Sequence, residues 1–256
     1  DSTLVTSLMK QESNSEVHTF SIGFADPKFD ESIFAKKVAQ AIGTVHHERL
    51  VFPEPDLIIN ELGTLLDHPF ADSSIIPTYL LSKFAREKLV VALSGDGGDE
   101  AFAGYERYRA GQLLDKINPL LLMNPFRFLP SKRIDNQRLR KLLKHSRATS
   151  LRERYRGFQS LLESHDISDL VNPSMISDQQ IDFFEESWNS IQTPDRIRRM
   201  QEMDIKTYLP GDLMFKVDIA SMANSLEVRS PFLDYRVIEF GLSLPSEYKL
   251  KSYLKS

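Results

Sequence analysis

Three carboxylates and three glycines stand together in "SGDGGDE", residues 94–100, directly after the apolar run "LVVAL" of residues 89–93. Gly95, Gly97 and Gly98 let the backbone approach a ligand closely, and a helix beginning near Asp99 turns its free N–H groups toward the same place. Such a turn can hold phosphate. Asp96, Asp99 and Glu100 would repel a bare anion unless a hard cation stood between them, and magnesium, which takes oxygen ligands, resolves that conflict. One of the three can instead accept a proton or bind an amine during a reaction. The competing reading is a glycine-bearing turn whose acidic residues stabilise a helix N-terminus and do nothing more.

Other reactive residue types narrow the chemistry. The chain has no cysteine, which removes thiolate nucleophiles, disulfides and cysteine-rich metal sites and fits a reducing, cytoplasmic setting. His46 and His47 stand side by side, but neighbours on a strand point to opposite faces and no third ligand follows at metal-binding spacing, so zinc is not expected. Between Lys132 and Arg156 ten Lys or Arg face only Asp135 and Glu153. A solvated helical face is the expectation there, because only Tyr155 is placed to stack on a base. The formal net charge of -4 likewise argues against a nucleic-acid surface. No apolar run approaches the roughly 20 residues of a spanning helix, and neither a signal peptide nor a membrane anchor is expected.

These residues need elements to position them. At 256 residues and 41% hydrophobic, the chain can bury a sizeable core. "VHTFSIGF", residues 17–24, reads as a strand and "ESIFAKKVAQAIG" as a helix capped by Asp30 and closed by Gly43. "HERLVF" follows as a strand, "PEPDLIINELGTLLDH" and "DSSIIPTYLLSKFAREK" as helices, the latter with Pro77 in its first turn. "LVVAL" reads as a strand covered on both faces. Strand, helix, strand, helix, strand implies an α/β parallel sheet with ligands beyond the carboxyl ends of its strands, where "SGDGGDE" lies. Past residue 99 strand signals nearly vanish; residues 139–164 and 195–209 read as helical, and "NPLLLMNPFRFLP" as an irregular connector. The predicted division is residues 1–110 as an α/β part and 111–256 as a helical part. Opening on "DSTLVTSLMK" and closing on "SYLKS" without a stop signal, the chain reads as a piece of a longer one.

A second segment carries more. "DLMFKVDIASMANSLEVRSPFLDYRVIEF", residues 212–240, taken with "SGDGGDEAFAGY" and the opening "DS", resembles the synthetase domain of the asparagine synthetase family, glutamine-dependent amidotransferases that activate aspartate with ATP. The resemblance covers nearly the whole chain in order, through "HTFSIGF", "FDES", "IGTVHHE" and "IIPTYLLSKFARE". Several blocks in one order are more specific than any single glycine pattern.

The resemblance implies a doubly wound parallel sheet of the adenine-nucleotide α-hydrolase type, in which a first strand runs into a pyrophosphate loop "SGGxDS". Only the "DS" of that loop is present here. Asp1 would then hold magnesium together with Asp99, and Ser2 would touch phosphate. Ser94 and Gly95 would lie against nucleotide or substrate, Ile22 beside the adenine, and Glu100 against the substrate's amino group. Asp96 would take the proton from attacking ammonia, although some branches carry the longer glutamate there. Lys216 would face the phosphates, whereas other branches place their lysine three residues on, at Ile219 of this chain. Asp72, Ser73 and Ser74 would lie where the substrate's carboxylates bind; asparagine-forming branches put threonines and an arginine hereabouts, and this stretch has no arginine. Glu227 and Arg229 of "EVRSPFLD" would form a partly buried pair under the site. ATP and Mg2+ are the implied ligands, and ammonia would come from an N-terminal glutaminase domain absent from this chain, which alone is expected to bind ATP weakly and to be inactive. A homodimer stays open. Two alternatives also stay open: the same adenylation on another acceptor, closing a β-lactam ring or amidating a polysaccharide or peptide, and a non-catalytic nucleotide-binding domain.

Overall fold

In a computed structural model of the chain, the described residues are 1–28, 30–52, 55–122, 148, 150–160, 170–172 and 182–250. They divide into two compact units. One comprises Asp1–Ala101 and Tyr208–Glu239, the other Phe102–Thr207 and Phe240–Ser256.

The first unit opens with helix α1, Ser2–Glu12. Strand β1, His18–Gly23, follows and pairs in parallel with β2, Val45–Leu50, from His18 opposite Val45 to Gly23 opposite Leu50. Helix α2, Ser32–Ile42, joins the two strands and ends at Gly43, whose φ of 80° lies in the left-handed region that glycine enters without penalty. Asp30 acts one residue earlier than a simple cap: its carboxylate accepts the Ser32 N–H at 3.0 Å, while Glu31 occupies the cap position. Helices α3, Pro55–Leu65, and α4, Ile75–Arg86, complete the first pass, with Pro77 in the first turn of α4 where its missing N–H costs least. Strand β3, Val91–Leu93, then runs into the acidic turn and the short helix α5, Gly98–Phe102.

β3 pairs in parallel with β4, Glu227–Arg229, from the C-terminal part of the chain. Two corrections follow. A strand does occur beyond residue 99; three residues are too few for a period-2 pattern to register. "LVVAL" is also not covered on both faces, since Val90 is 61% exposed and Val91 and Leu93 are exposed as well. Among the described residues the strands form two two-stranded parallel ladders, β1 with β2 and β3 with β4, so the architecture is α/β with parallel pairing.

A π-helical stretch, Leu209–Met214, leads into helix α10, Phe215–Met222. Pro210 and Gly211 lie in that stretch, both poor formers of regular α-helix. α10 packs on α4, and Ala220 joins Leu62, Ile75 and Tyr79 in a buried cluster flanked by Leu66, Phe70, Leu80 and Ile219.

The second unit is helical. It holds α6, Glu106–Leu122, α7, Leu151–Gln159, α8, Phe183–Ser190, α9, Arg196–Lys206, and α12, Ser246–Lys249, with α11, Tyr235–Ser243, entering it from Phe240 onward. α6 continues through Asn118–Leu122, the start of the stretch read as an irregular connector; residues 123–130 lie outside the described residues. So does most of the basic run from Lys132, leaving only residues 148 and 150–156 of it described. Ser150, Asp182 and Asp195 each accept N–H groups from the helix they precede, the capping chemistry expected of these residue types. Around Tyr108, Tyr155, Trp188, Met200 and Met203 lies an aromatic and sulfur-rich core. None of the described helices is long and apolar enough to cross a membrane.

Candidate functional site

Asp1 stands at the cap position of α1, yet its side chain makes no capping hydrogen bond; only its carbonyl serves the helix, accepting the Val5 N–H at 3.1 Å. The carboxylate lies instead against Gly98. A Cβ placed on Gly98 would sit 2.7 Å from each Asp1 oxygen, and one on Gly95 would sit 2.7 Å from the Ser2 nitrogen and 3.0 Å from its hydroxyl. The two glycines are therefore required by close approach of the opening "DS" to the acidic turn. Asp1, Ser2, Gly95 and Gly98 come together in one place, Ser94 directly precedes Gly95, and Asp99 follows directly on Gly98 in the first turn of α5.

The turn itself is held by its backbone. The Gly98 N–H donates to Gly95 O at 3.3 Å, the Ala101 N–H to Gly97 O at 3.0 Å, and the Ser94 N–H to Arg229 O of β4 at 2.9 Å. Gly97 has φ 89°, and a Cβ there would lie 2.5 Å from Leu233 Cδ2. The Ser230 hydroxyl donates a short bond to Asp96 O. Residues 229–233 of the fingerprint "EVRSPFLD" thus grip residues 94–97 by a strand, a hydroxyl and a leucine. Nothing local in the sequence announces this bracing by Ser230 and Leu233, since it depends on contacts more than 130 positions away.

Those charges do little. Glu227 and Arg229 do pair at 2.7 Å, but both side chains are more than half exposed, so the pair is not the partly buried support expected of it and contributes little.

The three carboxylates of the turn differ. The Asp96 side chain is half-buried and makes no hydrogen bond or ion pair among the described residues. Asp99 is half-buried, and Glu100 is 1% exposed. Close by in sequence, the Ser94 hydroxyl is buried without a hydrogen-bond partner, a group that an incoming oxygen or nitrogen would satisfy. Among the described residues no group of three or more His, Cys, Asp or Glu could hold a metal alone. A cation held by Asp1 and Asp99 would therefore need further oxygens, such as those of phosphate or water, which suits magnesium and its habit of keeping few protein ligands.

Lys216 lies elsewhere in the same unit and is 7% exposed. Its Nζ donates to Asp72 Oδ2 and to Ser74 Oγ, each at 2.7 Å. Ser74 Oγ in turn donates to Asp72 Oδ2 at 2.6 Å, and the Ser74 N–H donates to Asp72 Oδ1 at 2.8 Å. Residues to which the sequence reading assigned separate roles thus form one closed cluster tying α10 to the start of α4. Burial pushes the Asp72 carboxyl up, but the Lys216 ammonium and the Ser74 donors overcome that and hold it at about 2. Ser73 is exposed and outside the cluster. Ile22 is half-buried near the end of β1, opposite Arg49.

The histidines behave as expected of strand neighbours. His46 contacts the hydroxyls of Thr19 and Ser21 at 3.0 and 3.2 Å, whereas His47 meets His18 at 3.0 Å and stacks on its ring and that of Phe20. Burial lowers the pKa of both rings, with Lys88 adding to the effect on His47.

The sequence model of the family described as asparagine synthase matches residues 1–255. Asparagine synthetase (glutamine-hydrolyzing) 1 of Bacillus subtilis (strain 168) is 34% identical over 98% of this chain and 40% of its own length. A Mycobacterium tuberculosis relative is 32% identical over 98% of this chain and 38% of its own length. Amidase chyE of Penicillium rubens is 25% identical over 97% of this chain and 41% of its own. The chain spans about two-fifths of the length of the curated relatives it matches.

Proposed function

Because the chain belongs to the asparagine synthase family, we propose that it is the synthetase part of an ATP-dependent ligase that converts a carboxylate, the β-carboxyl of aspartate, into an amide. The two parallel ladders would be parts of one doubly wound sheet of the adenine-nucleotide α-hydrolase type. A carboxylate is a poor electrophile until one oxygen becomes a good leaving group. In the first step a carboxylate oxygen attacks the α-phosphorus of ATP; the bond to the β-phosphate oxygen breaks and pyrophosphate leaves. In the second, ammonia attacks the acyl carbon, the acyl–oxygen bond breaks and AMP departs with its electron pair. Asp96, half-buried and without a partner among the described residues, accepts the proton that nitrogen sheds.

The remaining residues bind and orient. Ser2, Gly95 and the hydroxyl of Ser94 meet phosphate or substrate, Ile22 packs beside the adenine, Glu100 meets the amino group of the acceptor, and Ser73 faces its carboxylates, while Ser74 and Asp72 of the same loop are engaged with each other and with Lys216. Asp1 and Asp99 would hold magnesium, which when bound neutralises phosphate charge as pyrophosphate forms. Lys216 offers a fixed ammonium to the same phosphates. Ammonia would reach this part from a glutaminase domain outside the chain, in a cytoplasmic enzyme.

The observation that supports this reading is the close approach of Asp1 and Ser2 to the acidic turn at Gly95 and Gly98. Its test is the substrate dependence of pyrophosphate release by the full-length protein. Release should require ATP, magnesium and aspartate together and be abolished by Asp99→Ala; release that ignores the carboxylate, or activity untouched by Asp99→Ala, would overturn it. A second reading keeps the chemistry and changes the acceptor. It is favoured by the loop at 70–77, whose carboxylate already holds Lys216 and which has no arginine to grip a free amino acid.

A further inference from the structure

We infer that Asp72 is a positioning residue for Lys216, holding the lysine ammonium in place with one donor left over for an oxygen of the departing pyrophosphate. The inference rests on the phosphate-facing role proposed for Lys216 and adds a residue that role did not include. An ammonium has three N–H donors and no acceptor. Two are taken, by Asp72 Oδ2 and by Ser74 Oγ, at equal distances of 2.7 Å, and no other hydrogen bond of Lys216 occurs among the described residues.

The holder is itself held. Both Asp72 oxygens accept from Ser74, one from its N–H and one from its hydroxyl, so the carboxylate cannot rotate without losing both bonds. The Ile75 N–H donates to Asp72 O at 3.2 Å, which fixes the residue to the start of α4. On the other side, Lys216 lies in the first turn of α10, immediately after a π-helical stretch. The neighbouring Phe215 packs against His68 and Phe70. A four-carbon side chain with its own rotamer freedom is thereby confined to one geometry. The ammonium so fixed can face the charge that develops on the departing phosphate.

The partner also sets a limit on what the loop can do. A carboxylate committed to Lys216 and doubly bonded to Ser74 repels an acceptor's carboxylate less than a bare one would, and leaves the exposed Ser73 hydroxyl as the loop's available polar group. Asp72 thus acts through Lys216 and does not itself grip substrate.

Magnesium pyrophosphate, titrated calorimetrically into the full-length protein, tests this without requiring turnover. Lys216→Met should weaken pyrophosphate about 100-fold and Asp72→Asn about tenfold, the scale seen when a residue that orients a functional group is lost. The double variant should bind no worse than Lys216→Met alone, since Asp72 has nothing left to position. The double variant also leaves no unpaired buried charge, so it remains measurable should Asp72→Asn fold poorly. Ser74→Ala should weaken binding about threefold, with Ser74→Thr restoring it. Losses that multiply in the double variant, or a melting shift in Asp72→Asn with pyrophosphate affinity unchanged, would overturn the inference. A wild-type protein that binds pyrophosphate but releases none from ATP in the presence of any carboxylate would instead overturn the proposed function and leave the positioning result standing.

Discussion

Asp96, half-buried in the first unit, and Asp204, buried in the second, could hardly be treated more differently. Asp204 is 0% exposed, and both its oxygens accept hydrogen bonds. Arg107 donates to its Oδ2 from Nη2 at 2.7 Å and from Nε at 3.1 Å, the Tyr108 hydroxyl donates to the same oxygen, and Gln159 donates to Oδ1 at 2.6 Å. Burial works against the Arg107 charge, and the facing carboxylate more than offsets it. Tyr108 and Tyr155 are pushed far above the usual phenol range by burial and by the same negative charge. Asp96 has its carbonyl pinned by Ser230 and its carboxylate left without a partner among the described residues. A carboxylate whose two oxygens are both engaged by buried donors holds a fold; one whose backbone is fixed and whose oxygens are open is available for chemistry. Lys216 and Asp72 stand between the two cases, paired with each other but with a donor to spare.

Breaking the saturated end of this comparison should have the largest effect. Asp204→Ala strips a mostly buried guanidinium, a buried phenol and an amide of their common acceptor, and urea unfolding should register a loss of about 3–5 kcal/mol. Next comes the brace of the turn. Gly97→Ala places a methyl group into Leu233 at a φ of 89°, a strain of about 1–3 kcal/mol; because it displaces the Asp96 carbonyl as well, it should also lower turnover, so that activity falls further than the stability loss explains. Leu233→Ala relieves the overlap but removes the packing, and a loss of about 1–2 kcal/mol in the same unfolding assay is expected for a half-buried leucine.

Acid sharpens the intermediate case. The folded-state pKa of Asp72, about 2, lies below its ordinary value of 3.8, so the ionised form binds the fold better and the stabilisation is fully present above about pH 4. It should be lost as pH falls from 4 toward 2, and the Asp72→Asn variant should lack that part of the slope when unfolding midpoints are followed across the range. The smallest effect belongs to the exposed Glu227–Arg229 pair: Glu227→Gln should change stability by less than about 1 kcal/mol and weaken with added salt.

Much of the first unit was legible from local pattern. "HTFSIG" is β-branched and aromatic and is β1; Phe34, Val38 and Ile42 recur at helical spacing and lie in α2, closed by Gly43; Pro77 marks the first turn of α4. β4 was not legible, since Glu227–Val228–Arg229 is shorter than the period that would announce it. Nor was the exposure of "LVVAL", because an apolar run says that cover is wanted and not that neighbours supply it.

The candidate site shows the same division. The residues that could carry the reaction stand out by type, in "SGDGGDE", "DS" and "KVD", and the order of these blocks along the chain is enough to place it in its family. What no window of sequence contains is which polar groups are already spoken for. Lys216 and Asp72 are separated by 144 positions, Ser230 and Asp96 by 134, and only the packed chain decides that the first pair spends its charges on each other while the second joins hydroxyl to carbonyl and leaves a carboxylate open. Local propensity selects helices and strands within a dozen residues; the satisfaction of buried polar groups is settled across the whole fold, because burial and partnership arise together when distant segments meet.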